Sequence, residues 1–329
     1  MADMTKTPFV RDLASSDKKI RDKATDSLSL FLRSKTDLSL LDLLKLWKGL
    51  FFCFYHSDRP LTQQALARTL SYSLVPTLPR STLHRFLRAF WITIGRDFHS
   101  LDRLRLDKYL HLIRCYVGVA FDVFLKPQQS TTTSTTANGG KRKREEEPAS
   151  SKRNKKNSKK NNKKQSPRTE DQEEESTTSS TTTTTNGGEK DWSALESYIT
   201  IIEEGPLCPL NFDPDQPPTN EKEDYVAMPH GPDGLRYHVM DIWIDELEKV
   251  LEFEEVEGGE EEGQPRKKVK GGVPMELLLR PIEKLKAESA YKPVRTRAAE
   301  TLDDERLFEW GVKERKVEEE SDEEWDGFD

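Results

Sequence analysis

At 329 residues, with 34% hydrophobic and 34% charged side chains and a formal net charge of −7, the chain is long enough for one or two packed domains. It holds no apolar run of the roughly 20 residues that a membrane span needs. Three scattered cysteines, Cys53, Cys115 and Cys208, exclude a disulfide framework, and the opening MADMTKTPFVRD lacks a hydrophobic signal core, so a soluble protein of a reducing, intracellular compartment is expected.

Charge divides the chain into three. Residues 1–126 carry 21 Lys and Arg against 12 acids, all of them Asp; residues 127–190 carry 14 against 9; residues 191–329 carry 17 against 38. A basic front and an acidic back can attract each other within one compact molecule. They can equally address different partners, nucleic acid in front and a basic protein behind.

In chain order, nearly every apolar stretch has the period of a helix. FVRDLASSDKKIRDKATDSLSLFLRSK starts with a short helix and resets at Asp17, a candidate N-cap, after which Ile20, Ala24, Leu28, Phe31 and Leu32 share one face. DLSLLDLLKLWKGLFFCFYH is apolar on more than one side, which predicts a helix covered by several neighbours. SDRP then reads as the turn of a helical hairpin. Ser57 or Asp58 is the expected cap, Pro60 suits a first helical turn, and LTQQALARTLSYSL returns with Leu66 in the core. Pro76 and Pro79 end it. STLHRFLRAFWITIGRDF follows, and Ser100 is expected to open LDRLRLDKYLHLIRCYVGVAFDVFL, which stops at Pro127.

Residues 127–190 contain no aromatic side chain and almost no aliphatic one. Such a segment cannot bury enough surface to offset a backbone entropy of about 1–2 kcal/mol per residue, so a disordered linker is expected. Beyond it lie WSALESYITIIEEG, a Pro-rich extended stretch (205–234), GLRYHVMDIWIDELEKVLEF, a charged loop (254–272), VPMELLLRPIEKLKAESA with Pro281 expected to kink or split it, and TRAAETLDDERLFEWG. The acidic tail VEEESDEEWDGFD offers Trp325 and Phe328 as candidate anchors. The predicted organisation is an N-terminal helical array (1–126), a basic low-complexity linker (127–190), C-terminal helices packing on the array (191–312) and a disordered acidic tail (313–329). The predicted fold is all-α, an irregular α-solenoid of armadillo or HEAT type, or an irregular bundle, since no clean repeat period emerges.

Catalytic and metal chemistry find little support. Cys53 and His56 stand C-x2-H with no second pair, and Cys208, His230 and His238 are far apart. There is no nucleophile elbow and no phosphate-cradling Gly loop. Neither an enzyme nor a cofactor is expected. The strongest chemical signal is the cluster Lys141, Arg142, Lys143, Arg144, Lys152, Arg153, Lys155, Lys156, Lys159, Lys160, Lys163 and Lys164, which reads as a nuclear import signal that also meets RNA phosphates. The plain alternative is a solubilising linker. Without aromatic residues the cluster cannot stack on bases, so its RNA contact would be non-specific. Arg103, Arg105, Lys108 and Arg114 are a second candidate basic face. They can equally be the exposed side of an amphipathic helix, paired with Asp102 and Asp107. Ser321, in EEESDEEW, is a candidate phosphosite for an acidophilic kinase.

LWKGLFFCFYHSDRPLTQQALA, LDRLRLDKYLHLIRCYV, GLRYHVMDIWIDELEKV and VPMELLLRPIEKLKAESAYKPVRTRA resemble, in order, segments of the ribosomal RNA processing protein 1 family. The resemblance covers roughly 8–126 and 190–310; linker and tail match nothing in it. It implies a non-catalytic assembly factor of the large (60S) ribosomal subunit, found in nucleoli and nuclear pre-ribosomes. It further implies a helical-repeat-like fold, a requirement in pre-rRNA processing, and action through pre-60S assembly factors and pre-rRNA, with no small-molecule substrate and no membrane. A nuclear transport adaptor is the alternative, though the ladder of Asn or Trp expected of one is missing. A hydrolase or nuclease with an unfamiliar site is a third class.

Overall fold

Asp17 accepts a hydrogen bond from the Lys19 amide and opens α2 (Lys18–Ser34), behind the short α1 (Pro8–Leu13). The structure is a computed structural model and describes residues 8–13, 15–126, 191–211, 215–255 and 267–314. Ser39 caps α3 (Leu40–Tyr55) through the Asp42 amide. The SDRP turn comes next, but neither predicted cap serves. Arg59 stands at the cap position and Pro60 fills the first turn of α4 (Pro60–Arg68). Ser57 Oγ instead donates back to the Cys53 carbonyl at 3.0 Å, and Asp58 binds Lys108. α4 widens into a π-turn over Thr69–Ser73 before Pro76 ends the helical path. α5 (Arg80–Asp97) follows, then α6 (Arg103–Leu125), opened by Asp102 rather than Ser100.

After residue 190 the chain forms α7 (Ser193–Glu204), an extended Pro-rich stretch and α8 (Asp233–Glu248). The expected charged loop is flanked by a small hairpin, β1 (Phe253–Glu255) and β2 (Lys267–Val269), which sets Glu254 opposite Lys268 and Glu255 opposite Lys267. Opposite charges at facing positions favour that pairing. α9 (Met275–Glu288), α10 (Lys292–Leu302) and α11 (Glu305–Glu309) complete the described chain. α9 is not split at Pro281: the ring lies buried on the same face as Leu278, Ile282 and Leu285.

From α3 to α8 each helix packs on the helix two ahead, α3 on α5, α4 on α6, α5 on α7, α6 on α8, α7 on α9 and α8 on α10, and α1 packs on α3 in the same way. Two layers result, one of odd-numbered and one of even-numbered helices, and this is the all-α array that the periodicity predicts. Polar side chains fix the register. Trp47 Nε1 donates to the Phe86 carbonyl at 3.1 Å, the Tyr116 hydroxyl to Leu70 at 2.7 Å, His84 Nε2 to Ala194 at 2.8 Å and Trp243 Nε1 to Leu278 at 3.0 Å. α3 is apolar on several sides because α1, α4 and α5 all touch it. Its Trp47 ring lies 5.0–5.3 Å from the rings of Phe86, Phe90 and Tyr116. The same core continues past the linker, with Phe121 edge-on to Trp243 at 4.9 Å and Phe124 stacked on Tyr198 at 5.3 Å.

Two apolar positions differ from expectation. Ile20 is 42% exposed, and Leu66 is half-buried in a cleft; Ala67 and Leu70 take the core positions of that helix. The charge asymmetry finds its partner inside the molecule. Arg85 pairs with Asp224 at 3.7 Å, Arg88 with Glu204 at 2.6 Å, and Arg114 with Glu246 at 2.5 Å and with Asp245. In every ion pair between the two stretches, among the described residues, the front supplies the cation and the back supplies the acid.

Candidate interaction surface

α6 carries the four cations singled out from sequence, and helical phase sends them different ways. At about 100° per residue, Arg103 and Arg114 share a side while Arg105 and Lys108 point to another. Lys108 is 5% exposed. Its ammonium donates to the Tyr55 carbonyl at 2.8 Å, the Ser57 carbonyl at 3.1 Å and Asp58 Oδ1 at 2.9 Å. Carbonyls at a helix C-terminus have no partner within the helix, and a cation there also meets the negative end of the dipole. Burial pushes the Lys108 pKa down and Asp58 opposes that push. The Lys108 hydrogen bond in turn holds the Asp58 carboxyl below its ordinary range. Arg105 binds Asp102 at 2.6 Å and lies over the Tyr55 ring, 4.2 Å from its centroid. Together these two cations staple the SDRP turn to α6.

Arg114 reaches α8, where Glu246 is only 2% exposed and shares its Oε1 between Arg114 and Lys249. Burial raises the neighbouring Asp245 carboxyl, but Arg114 and Arg306 outweigh it and leave the pKa below the usual carboxylate value. Arg103 is exposed and has no ion pair among the described residues. Of the predicted basic face, then, three cations are engaged within the fold and Arg103 faces solvent. The Lys141–Lys164 cluster and Ser321 lie outside the described residues.

Sequence reasoning missed the surroundings of the π-turn. A Cβ at Gly118 would sit 2.4 Å from the Tyr72 hydroxyl and 2.7 Å from Glu246 Oε2, so only a glycine lets α6 approach both. Burial and the Glu246 charge push the Tyr72 phenol up to about 12. A signal existed for Glu246: it continues the spacing of Val239, Ile242 and Trp243, an acid on an apolar stripe. A Cys–His neighbour pair also escaped notice, with Cys115 Sγ 3.7 Å from His111 Nε2. Burial pushes the thiol up and the imidazole down, which favours the neutral form of each. Cys53 is likewise pushed up by burial. Among the described residues no three His, Cys, Asp or Glu side chains are grouped to hold a metal ion, and no helix is long and apolar enough to cross a membrane.

Two outer hollows open in the even-numbered layer. One, between α2 and α4, has a volume of about 390 Å³ and is lined by Thr25, Leu61, Ala65 and Leu66 beneath Lys18 and Asp22. The other lies between α8 and α10.

Part of the chain aligns with curated proteins. It is 41% identical over 120 residues to human ribosomal RNA processing protein 1 homolog B, covering 35% of this chain and 16% of that protein. It is 36% identical over 116 residues to human homolog A, covering 34% of this chain and 25% of that protein. The Dictyostelium discoideum homolog is 29% identical over 89 residues, covering 27% and 18%. The chain thus spans a quarter or less of the length of these relatives, whose name is the one the sequence resemblance points to. A family model described as nucleolar protein Nop52 matches residues 4–139 and 188–328, reaching into the linker and the tail that the resemblance left unmatched. Matched over most of its length, the chain belongs to this Nop52 family of nucleolar proteins.

Proposed function

We propose that this chain is a non-catalytic scaffold in nucleolar assembly of the large ribosomal subunit, acting in pre-rRNA processing by holding assembly factors and pre-rRNA. The observation that carries the reading is membership of a family described as nucleolar, with relatives named for ribosomal RNA processing at 36% and 41% identity. A two-layer helical array of α-solenoid character works through extended outer faces and not through a reactive pocket. The linker cations between Lys141 and Lys164 direct the chain to the nucleus and neutralise RNA phosphates. Each neutralised phosphate releases counterions, so RNA retention falls steeply as salt rises. Arg103 adds an open cation on the folded part. No cofactor, membrane or small-molecule substrate enters this reading.

Affinity purification of the full chain followed by RNA sequencing tests it. Enrichment of large-subunit precursors over small-subunit precursors is expected. Recovery of mature tRNA alone, or of no RNA, would overturn the reading, and metal-dependent degradation of a pre-rRNA fragment by the purified protein would replace it with a nuclease.

A further inference from the structure

The even-numbered layer ends at α10, and the hollow between α8 and α10 has a volume of about 590 Å³. Tyr237, Lys292, Pro293, Thr296, Arg297 and Glu300 line it. Most of that lining is apolar, made by two rings, a methyl group and the aliphatic stems of the long cations. Its own cations are Lys292 and Arg297. They belong to a stretch, residues 280–297, that carries six Lys and Arg against two Glu where 191–329 carries 17 against 38, and Arg280 and Lys284 of that stretch turn instead to Glu203 on α7. Arg297 is tied to Asp241 at 2.7 Å and to Glu300 at 3.1 Å, while Lys292 has no ion pair among the described residues.

We propose that the occupant of this groove is the chain's own C-terminal tail, with Trp325 and Phe328 against Tyr237 and Pro293 and the surrounding acids against Lys292 and Arg297. Length permits it. The described chain stops at Glu314, next to α10, where Lys313 Nζ donates to the Leu302 carbonyl at 3.0 Å. Lys292 lies ten residues back along that helix, about 15 Å away. Residues 315–325 span up to about 36 Å when extended. Charge favours it: residues 317–329 carry eight acids and no cation. The two aromatic side chains, three residues apart, supply the apolar anchors that a groove of this kind takes, with charges left for its rim. The family match also continues as far as residue 328, so the tail lies within the family's pattern.

Full-length protein with Phe328 replaced by photoreactive p-benzoylphenylalanine, irradiated at low concentration, tests the assignment. Adducts are expected within one chain, on the peptides that hold Tyr237 and residues 292–300. Thr296→Glu, at an exposed position on the groove wall, is expected to reduce the adduct yield about tenfold, equivalent to about 1.4 kcal/mol, with an unchanged melting curve. Lys292→Glu is the second variant, should Thr296→Glu disturb the helix. Adducts elsewhere on the chain, adducts that join two copies, or no adduct above the unirradiated level would each overturn the proposal.

Discussion

Lys108 shows what a buried cation does in this molecule. Three acceptors from the end of α3 and the following turn surround its ammonium. Lys108→Met keeps the stem and removes the donors, so the Ser57 carbonyl loses its donor and the Tyr55 carbonyl keeps only the longer bond from Arg105 Nε at 3.3 Å. A loss of about 2–3 kcal/mol is expected, read as a fall in the denaturant midpoint. Asp58→Asn is expected to change less, under about 1 kcal/mol, because the Asp58 side chain is 60% exposed and its ion pair is screened. His238 gives a pH-dependent counterpart. Its Nε2 donates to the Leu110 carbonyl at 2.9 Å, and burial pushes its pKa below 6.5 despite that bond. The unfolded chain therefore takes up the proton first as pH falls. Stability is full above about pH 6.5 and is lost below it as the folded-state pKa is approached. Melting temperature should drop between neutral and mildly acidic pH, and His238→Gln should flatten part of that slope; an unchanged slope would remove His238 from the account.

α4 separates two neighbouring leucines. Leu70 is 1% exposed and receives a hydroxyl from Tyr116 at its carbonyl, whereas Leu66 lines the α2–α4 cleft. Leu70→Asp buries a charge without a partner and is expected to unfold the array at a cost of several kcal/mol, about 4 or more. Leu66→Asp leaves its carboxylate within reach of water and is expected to cost about 1 kcal/mol. Thermal melts of the two variants decide the point, and equal losses would place both leucines in the core. Leu66 sits within about 100° of both Ala67 and Leu70 around the helix, and spacing counted at 3.6 residues per turn does not separate the middle of a buried face, which Ala67 and Leu70 take, from its edge, where Leu66 stands.

Across the whole molecule, the helices before and after residues 127–190 share one core. α6 and α7 touch each other, and the core runs through Phe121, Phe124, Tyr198 and Trp243 on both sides of residues 127–190. Replacing 129–188 with a short Gly/Ser segment should preserve the helical circular dichroism spectrum and raise stability by about 1–2 kcal/mol, because a shorter loop loses less entropy on closing. The same variant should lose nucleolar accumulation in cells. Loss of helix content would show that the linker belongs to the folded unit. By itself the sequence determined where helices lie, most of their stripes, the cap at Asp17 and the family, since caps and periods act within a few residues of chain. Only the tertiary structure decided which charges remain open. Lys108 meets Asp58 across 50 residues and Arg114 meets Glu246 across 132. Pairings at such separations depend on which helices stack, and no local spacing encodes that.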